Sequence, residues 1–276
     1  MKAASFQYQI SSDLVDLLLS IKQTHLNFKF LAGSQSLGPM MNLRLAQPEL
    51  IFDLKGIRDL KVAKMGDDFL ELGACITHAE IEDQKVPDAT NGLMSFVAKN
   101  IAYRAIRNQG TLGGSLCHAD PAADWVCTMI VLNAELELVS LNENGRTWKS
   151  RKISVRNFMQ GPFTTVLQEN EILKNIVITK FSPEMKWGYY KICQKPGEFS
   201  KATAAVVVDP KFAIHRLVIG ATDTTPLLME DAKNLITNPD PKNLNEWLQK
   251  SLGKDPFETQ LYATAAQRAI QMLKLN

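Results

Sequence analysis

The hydrophobic pattern of the first two thirds of the chain predicts strands that alternate with helices. Segments typical of strands are SFQYQI, NFKFL, PELIFDL, FLELGACI, AELELV and residues 173–178. Between them, SSDLVDLLLSIKQ and AADWVCTMIVLN have the apolar spacing of helices. Strand, loop and helix in alternation predict an α/β or α+β layer in this part of the chain.

A different pattern begins near residue 180. MKWGYYKIC, KATAAVVV and FAIHRLVIG predict three strands, with VDPKF as the tight turn between the last two. Helices are expected after them, because Asp240 and Asp255 each precede a proline suited to the first helical position. We expect Gly253 to end the first of these helices and place a domain boundary between 170 and 180, giving domains 1–175 and 176–276.

Capping residues predict where the other helices begin. Ser12 is expected to cap the first helix, and Thr77 and Glu80 have the spacing of a capping box. Asp120, followed by Pro121, is expected to start the helix within AADWVCTMIVLN. The Asn-Gly pair in NENGR predicts a hairpin turn.

Composition limits the kinds of function that the chain can have. Its 276 residues are 45% hydrophobic and 22% charged, with a net charge of +2, as is typical of a soluble globular protein. This charge does not predict nucleic-acid binding, and no apolar run approaches the roughly 18 residues of a membrane span. The first residues predict a strand and a helix and not a secretory signal.

The cysteines argue against metal or cluster ligation within this chain. Cys75, Cys117, Cys127 and Cys193 form no CxxC pair, and the four histidines are widely scattered. A disulfide scaffold is not expected at this length. We therefore expect reduced cysteines, a cytoplasmic protein and no metal site.

Two loops combine glycine with hydroxyl side chains. LAGSQSLG, residues 31–38, follows a predicted strand, and TLGGS, residues 111–115, precedes a predicted helix. Backbone N–H groups in such loops can surround an anion, and small residues let a phosphate approach them. Either loop alone is also an ordinary connection, and neither contains GxGxxG or a Walker motif. Together they suit a diphosphate held from two sides, as in FAD.

Three further positions have ordinary structural explanations beside functional ones. Asp124 could accept hydrogen bonds from a ribose or adenine, but an acidic residue in a first helical turn is common. Lys191 could lie near flavin carbonyl groups, or could be a solvated surface lysine. We interpret Asp120 as a cap and His118 as loop packing, because no third partner for an acid–base pair is identifiable.

The longer motifs resemble a known family. AGSQSLGPMMNLRLAQPELIFDL and IRNQGTLGGSLCHADPAAD resemble the two flavin-binding signatures of the medium subunit of carbon monoxide dehydrogenase. The same module is the FAD-binding segment of xanthine dehydrogenase and other molybdenum hydroxylases. The resemblance extends over nearly the whole chain, through GPFTTVLQENEIL, YKICQKPGEFSKATAAV and IGATDTTP.

The resemblance implies an α+β fold and a set of cofactor contacts. It implies a PCMH-type FAD-binding domain of two α/β subdomains, divided near residues 55–60, then a three-stranded antiparallel sheet with a helical bundle. Asp124 would contact the adenosine half, with Ile101 as an adenine-side wall, while Leu173 would pack on the flavin and Lys191 would lie close to its ring. The loop contacts would be Leu31, Ala32, Gly33, Ser34, Gln35, Ser36, Leu37, Thr111, Leu112, Gly113, Gly114 and Ser115.

The chain departs from the family pattern at two positions. Ser34 stands where a second consecutive glycine is usual, so its Cβ requires an allowed backbone angle or a different approach of the phosphate. Cys117 stands where a small residue is common, and no function is implied for its thiol.

The function implied is electron transfer within a larger enzyme. The chain would be the FAD subunit of a molybdenum hydroxylase, with the molybdenum cofactor in a large subunit and two [2Fe–2S] clusters in a small one. We expect a dimer of heterotrimers, electrons passing through FAD to NAD, oxygen, a quinone or another acceptor, and no catalytic side chain. The substrate stays open among carbon monoxide, aldehydes, purines and other N-heterocycles. Alternatives are a stand-alone FAD-dependent oxidoreductase and a non-redox nucleotide-binding assembly module.

Overall fold

A computed structural model describes residues 2–274, and strands and helices are mixed throughout this range. The strands are β1 Gln7–Ile10, β2 Phe28–Leu31, β3 Leu50–Asp53, β4 Ala63–Met65, β5 Phe69–Gly73, β6 Glu135–Leu141, β7 Trp148–Ser154, β8 Met159–Gly161, β9 Thr164–Thr165, β10 Ile172–Thr179, β11 Lys186–Ile192, β12 Ala202–Asp209, β13 Ile214–Gly220 and β14 Leu227–Met229. The helices are α1 Leu14–Gln23, α2 Leu37–Asn42, α3 His78–Glu82, α4 Leu93–Lys99, α5 Arg104–Arg107, α6 Leu112–His118, α7 Asp124–Val131, α8 Val155–Phe158, α9 Lys233–Thr237, α10 Pro241–Leu252 and α11 Pro256–Met272, with a 3-10 helix at Arg58–Lys61.

A small parallel sheet lies at the N-terminus. Its strand order is β1-β3-β2, and both outer strands pair in parallel with β3. Parallel neighbours need crossover connections, which α1 and α2 supply. The apolar face of α1 packs Leu14, Leu17 and Leu18 against Leu50 and Phe52 of β3.

An antiparallel sheet of five strands forms the middle of the molecule, in the order β4-β5-β10-β6-β7. Its buried face joins α4, α6 and α7 in one large core, where Trp125 is fully buried. The hairpin between β6 and β7 turns at Gly145, whose φ of 65° confirms the predicted Asn-Gly turn.

The C-terminal part is an antiparallel sheet covered by helices. The three expected strands are β11, β12 and β13, and a short fourth strand, β14, extends the sheet edge. Small residues of α11, including Ala265, Ala266 and Ala269, pack against Ala204 and Val206 of β12. The α+β fold is therefore as expected, with one strand added.

The position of the domain boundary stays a proposal. The five-stranded sheet continues to the end of β10 at Thr179. A division after residue 175 would cut this strand, so we propose that the first domain continues to the end of β10.

Most predicted caps are present. Thr77 and Glu80 form a capping box, Asp255 and Glu258 form a second one, and Asp240 caps α10. Gly253 ends α10 with a φ of 64°.

Two predicted helix starts are wrong. Asp13, not Ser12, caps α1, because its carboxylate accepts hydrogen bonds from the N–H groups of Val15 and Asp16. Asp120 does not cap α7, which begins at Asp124 after Ala123.

Contacts with the C-terminal part explain the later start of α7. The carboxylate of Asp120 accepts from the N–H of Ala122 at 2.9 Å and closes a local turn. The carbonyl oxygen of Pro121 then accepts from the N–H of Ala221 at 2.9 Å, and that of Ala122 accepts from the Ser200 hydroxyl at 3.1 Å. These two carbonyl oxygens therefore bind the C-terminal part and do not accept hydrogen bonds within a helix.

Close packing between β11 and α11 generates the first prediction. A methyl group on Gly188 would lie 1.9 Å from the carbonyl oxygen of Ala269, whereas one on Gly161 would meet no atom within 4 Å. We expect Gly188→Ala to lower the free energy of unfolding by about 2–3 kcal/mol, because helix and strand must separate. Gly161→Ala, the control, should change it by less than about 0.5 kcal/mol. Urea unfolding measures both, and equal midpoints would contradict this packing.

Candidate functional site

The first glycine loop connects β2 to α2 and leaves a row of backbone donors free. Within the described residues, the backbone N–H groups of Gly33, Ser34, Gln35, Ser36 and Leu37 donate to no acceptor. The side-chain amide of Gln35 donates to the carbonyl oxygen of Gly33 at 2.8 Å, which braces the loop. Consecutive free N–H groups in a turn form a concavity suited to an anion.

Ser34 adopts a left-handed backbone conformation at the position where the family pattern leads us to expect a glycine. Its φ is 63°, in the left-handed region that glycine favours. A methyl group on Gly38 would lie 2.7 Å from the Ser34 hydroxyl oxygen. The serine therefore fits the loop because Gly38, one turn later, leaves room for its side chain.

The first loop rests on the turn that precedes the second one. A methyl group on Gly33 would lie 2.3 Å from the carbonyl oxygen of Gln109 and 2.7 Å from the Cα atom of Gly110. Only a glycine permits this approach. The two glycine-bearing segments, about 80 residues apart in sequence, thus lie against each other.

The second segment is the start of helix α6 rather than an open loop. The N–H of Leu112 donates to the Ile76 carbonyl and that of Gly113 to the Ala74 carbonyl, both at 2.9 Å. The hydroxyl of Thr111 caps the helix by accepting from the N–H of Gly114 at 3.1 Å. We expected this segment to present free backbone amides as well. The amides of Leu112, Gly113 and Gly114 are not free, because all three donate to acceptors within the fold.

The two adjacent glycines have different roles in packing. A methyl group on Gly113 would lie 2.4 Å from the Ala74 side chain, so Gly113 permits helix α6 to contact the end of β5. One on Gly114 would stand 2.7 Å from the Thr111 hydroxyl and 3.8 Å from the Cβ atom of Ala32. Gly114 is therefore the glycine that faces the first loop.

Free hydroxyl groups accompany the free amides. The side chains of Ser34, Ser36 and Ser115 make no hydrogen bond to any other described residue. With the five N–H groups of the first loop, they provide neutral donors from both segments. This set of donors fits an anion whose oxygens are bound from two sides.

A buried histidine supports the turn under the first loop. Nδ1 of His78 accepts from Nε1 of Trp125 at 2.9 Å, so the proton of the neutral imidazole is on Nε2. A methyl group on Gly110 would lie 2.7 Å from Nε2, which places the ring directly against this turn. Burial lowers the pKa of His78 to about 4, and the positive charge of Arg107 acts in the same direction.

Asp124, Tyr189 and Lys191 form one buried cluster. Nζ of Lys191 lies 3.0 Å from the Asp124 carboxylate and donates to the carbonyl oxygen of Asn100 at 2.8 Å. The hydroxyl of Tyr189 also donates to Asp124. Burial raises the pKa of the Asp124 carboxyl, and the charge of Lys191 opposes this rise.

This cluster changes the expected distribution of contacts along the dinucleotide. Asp124 was expected at the adenosine half and Lys191 at the flavin ring, but the two side chains touch. Asn100, which accepts from Lys191, directly precedes Ile101, the expected adenine-side wall. Because the two side chains touch, we propose that Lys191 lies with Asp124 and Ile101 at one end of an extended dinucleotide.

The remaining predicted positions are less accessible. Leu173 is 3% exposed and belongs to the main core, and Ile101 packs against the same core. A flavin ring would therefore meet only a small part of the Leu173 side chain. A cavity of about 350 Å³ near the second segment is lined by Lys61, Cys75, Thr77, Ala79, Glu80, Lys85, Arg104 and Asn108, none of which is a predicted contact.

The two side chains considered as reactive groups, those of His118 and Cys117, are packed within the fold. His118 is the last residue of α6 and not part of a loop, and its ring packs on that of Phe163 with centroids 5.1 Å apart. Desolvation raises the pKa of the Cys117 thiol to about 12, so the thiol is protonated at neutral pH.

In the described range, no group of three or more His, Cys, Asp or Glu side chains could hold a metal ion. No helix of residues 2–274 is long and apolar enough to cross a membrane.

The fold and the two adjoining segments are consistent with binding of a dinucleotide through its diphosphate, and comparison with known proteins shows which dinucleotide the family binds. Residues 4–180 match the family described as the FAD binding domain in molybdopterin dehydrogenase. The chain belongs to this family and is an FAD-binding protein of the oxidoreductase class.

Relatives and a solved structure agree with this assignment. The chain is 30% identical over 239 residues to the nicotine 6-hydroxylase medium subunit of Paenarthrobacter nicotinovorans, covering 86% of this chain and 81% of that protein. It is 31% identical over 203 residues to the carbon monoxide dehydrogenase medium chain of Hydrogenophaga pseudoflava, covering 74% and 69%. A structure of the Hydrogenophaga pseudoflava carbon monoxide dehydrogenase that lacks the Mo-pyranopterin moiety matches with a TM-score of 0.83 at 25% identity, covering 100% of this chain and 99% of that one.

Several residues of the site were not found from the sequence. His78, Trp125 and Tyr189 support it through contacts between residues 47 and 65 positions apart. In the sequence, His78 lies inside the predicted capping box of Thr77 and Glu80. This motif predicts the start of a helix, but it does not predict that His78 is buried against Trp125. Gly110 had no signal of its own.

The buried His78 generates a prediction on pH and stability. The pKa of His78 falls from 6.5 to about 4 on folding, so the unfolded chain binds a proton more readily than the folded one. The neutral His78 therefore contributes fully to the free energy of unfolding above pH 6.5. This contribution, about 3 kcal/mol in total, is lost as the pH falls towards 4. We expect urea unfolding to show that the free energy of unfolding falls more between pH 7 and pH 4.5 for the parent protein than for His78→Asn. Equal losses in the two proteins would contradict the buried neutral histidine.

Proposed function

We propose that this chain is the FAD-carrying subunit of a molybdenum-cofactor, [2Fe–2S] and FAD hydroxylase or dehydrogenase. In this role, electrons from iron–sulfur clusters of a small partner subunit pass through this chain to an external acceptor such as NAD. The molybdenum cofactor would be held by a large subunit, with the assembly a dimer of heterotrimers. The four cysteines of the chain are free, which is consistent with a cytoplasmic location.

The observation that carries the proposal is the convergence of the two glycine-bearing segments. The first loop has five free N–H groups, its Ala32 lies against Gly114, and the hydroxyl of the next residue, Ser115, is free. Neutral donors bind a diphosphate without placing a buried cation beside the redox group. We propose diphosphate contacts at Leu31, Ala32, Gly33, Ser34, Gln35, Ser36, Leu37, Thr111, Leu112, Gly113, Gly114 and Ser115, with Thr111, Leu112 and Gly113 acting through the shape of the helix start.

Other side chains would orient the rest of the cofactor. Asp124 and Lys191 form a buried pair that offers an acceptor and a donor at one end of the dinucleotide. Ile101 would pack beside them, and Leu173 would line the site from the core. Tyr189 fixes the Asp124 carboxylate by its hydrogen bond, so this acceptor is already oriented before the cofactor arrives.

The chain itself would bind, orient and shield rather than react. Bound FAD supplies the redox chemistry. The high pKa of the Cys117 thiol and the ring packing of His118 are consistent with the absence of a nucleophile or general base. The proteins similar to this chain include ones named as medium subunits or medium chains, which supports a role beside other subunits.

Two other functions are separated from this one by simple measurements. A stand-alone FAD-dependent oxidoreductase would be active by itself with a physiological donor. A non-redox nucleotide-binding module would purify without a flavin spectrum and would not take up FAD. The family of the chain favours a flavin-bearing protein over the last of these.

A substitution at Gly114 tests the position of the cofactor. Gly114→Val puts a branched side chain where the two segments face each other, 2.7 Å from the Thr111 hydroxyl at its first carbon. We expect a folded protein that loses bound FAD, measured by its visible absorption after gel filtration and by far-UV circular dichroism. His118→Ala, the control, should keep its FAD. A Gly114→Val protein that retains FAD as tightly as the parent would refute the assignment of this segment.

Purification under gentle conditions tests the subunit role. We expect the affinity-tagged chain, expressed in its native host, to co-elute with polypeptides that bring molybdenum and iron, measured by elemental analysis of the purified complex. A flavin-containing chain that elutes alone and reduces an acceptor with its own substrate would instead support the stand-alone enzyme.

A further inference from the structure

Three consecutive carbonyl oxygens between α4 and α5 accept hydrogen bonds from two buried cations. The carbonyl oxygen of Asn100 accepts from Nζ of Lys191 at 2.8 Å. Those of Ile101 and Ala102 both accept from Nη1 of Arg107, at 3.0 Å each. The side chains of Lys191 and Arg107 are 9% and 11% exposed, so these charge-assisted bonds are shielded from water. We call the three residues that supply the carbonyl groups the carbonyl segment.

The carbonyl segment has a backbone shape that its own residues do not favour. Ala102 has a φ of 42°, in the left-handed region that residues other than glycine rarely adopt. The loop after β11 rests on it, since a methyl group on Gly197 would lie 2.9 Å from the Ala102 carbonyl oxygen. Such a shape persists only where surrounding contacts hold it. The hydrogen bonds from Arg107 and Lys191 are contacts of this kind.

Glu82 gives the Arg107 guanidinium a single orientation. Nε of Arg107 donates to Oε2 of Glu82 at 2.7 Å, and Nη2 donates to Oε1 at 3.0 Å. These hydrogen bonds lower the pKa of the Glu82 carboxyl, so the pair stays ionised at neutral pH. Two parallel bonds fix the plane of a guanidinium, and the remaining nitrogen, Nη1, is then directed at the carbonyl segment.

We propose that Arg107 is a positioning residue for the adjoining part of the cofactor site. It fixes the carbonyl segment, which includes Ile101 and supplies the Asn100 carbonyl that holds Lys191. Nζ of Lys191 also lies 3.0 Å from the Asp124 carboxylate, so a shift of this carbonyl would move the buried pair. The inference rests on the proposed FAD contacts at Ile101, Asp124 and Lys191, and it adds a residue that acts through them.

Arg104 provides a matched control in the same network. Its Nη1 donates to Oε2 of Glu82 at 2.9 Å, and its guanidinium forms two further hydrogen bonds to Asp83. Its Nε donates to the side chain of Asn108, and among the described residues none of its donors reaches the carbonyl segment. Arg104→Met and Arg107→Met therefore remove the same charge beside the same carboxylate, but only the second frees the carbonyl segment.

Titration of the FAD-free protein with FAD compares these variants. We expect Arg107→Met to raise the dissociation constant for FAD at least about tenfold, because two hydrogen bonds to a charged group are lost. Arg104→Met should change this constant by less than about twofold. Arg107→Lys keeps the charge but cannot bridge a carboxylate and two carbonyl groups, and should raise the constant at least about threefold. Isothermal titration calorimetry measures each constant, and far-UV circular dichroism shows whether each variant is folded.

Coupling to Lys191 separates positioning from a general loss of stability. The factor by which Lys191→Met raises the dissociation constant for FAD should be at least about fivefold smaller in Arg107→Met than in the parent, because the ammonium group is already displaced there. In the FAD-free protein, hydrogen exchange of the peptide that contains residues 100–103 should be faster in Arg107→Met and Arg107→Lys, but not in Arg104→Met.

The outcomes separate this inference from the proposed function. Equal dissociation constants for the parent, Arg107→Met and Arg107→Lys would overturn the positioning role and leave FAD binding intact, and so would additive effects of Arg107→Met and Lys191→Met. A parent protein that takes up no FAD would overturn the proposed function and this inference with it. Should Arg107→Met not fold, Arg107→Lys and its combination with Lys191→Met give the same decision.

Discussion

The contact between Gly33 and the Gln109–Gly110 turn determines the arrangement of the site. At this point two backbones approach so closely that a methyl group would stand 2.3 Å from a carbonyl oxygen. The contact joins the loop after the small parallel sheet to the turn before α6, so that the segment with five free N–H groups adjoins the segment that contains Gly114. His78 and Trp125 support the turn from the interior, so the position of the first loop depends on a buried, uncharged hydrogen bond.

The hydrogen bonds of the two segments give them different roles in binding a ligand. The first loop can offer its amides to a ligand because Ser34 holds a left-handed conformation and α2 begins only at Leu37. The second segment uses its amides for carbonyl groups just after β5 and for its own cap. It contributes a bare Cα atom at Gly114 and a hydroxyl group at Ser115. A diphosphate between them would be bound mainly by amides on one side and would meet a tightly packed helix start on the other.

Local features were predictable from the sequence because they depend on neighbouring residues. Strand alternation, the Thr77 capping box and the Asp240 cap all act over a few positions, and so does the glycine and hydroxyl composition of both segments. Features that depend on distant partners were not predictable. The pairing of Asp124 with Lys191, 67 residues later, and the turn at Asp120, which the C-terminal part holds open, follow from tertiary contacts. The different roles of Gly113 and Gly114 depend on which neighbour each faces.

A crystal structure of the chain with FAD would test the central claim most directly. The convergence of the segments predicts diphosphate oxygens within about 3.2 Å of the first-loop nitrogens, between Gly33 and Leu37, with the Ser115 hydroxyl on the opposite side. The adenosine or the flavin, but not both, should then lie beside Asp124 and Lys191. A diphosphate bound elsewhere, with those five amides still facing solvent, would contradict the account.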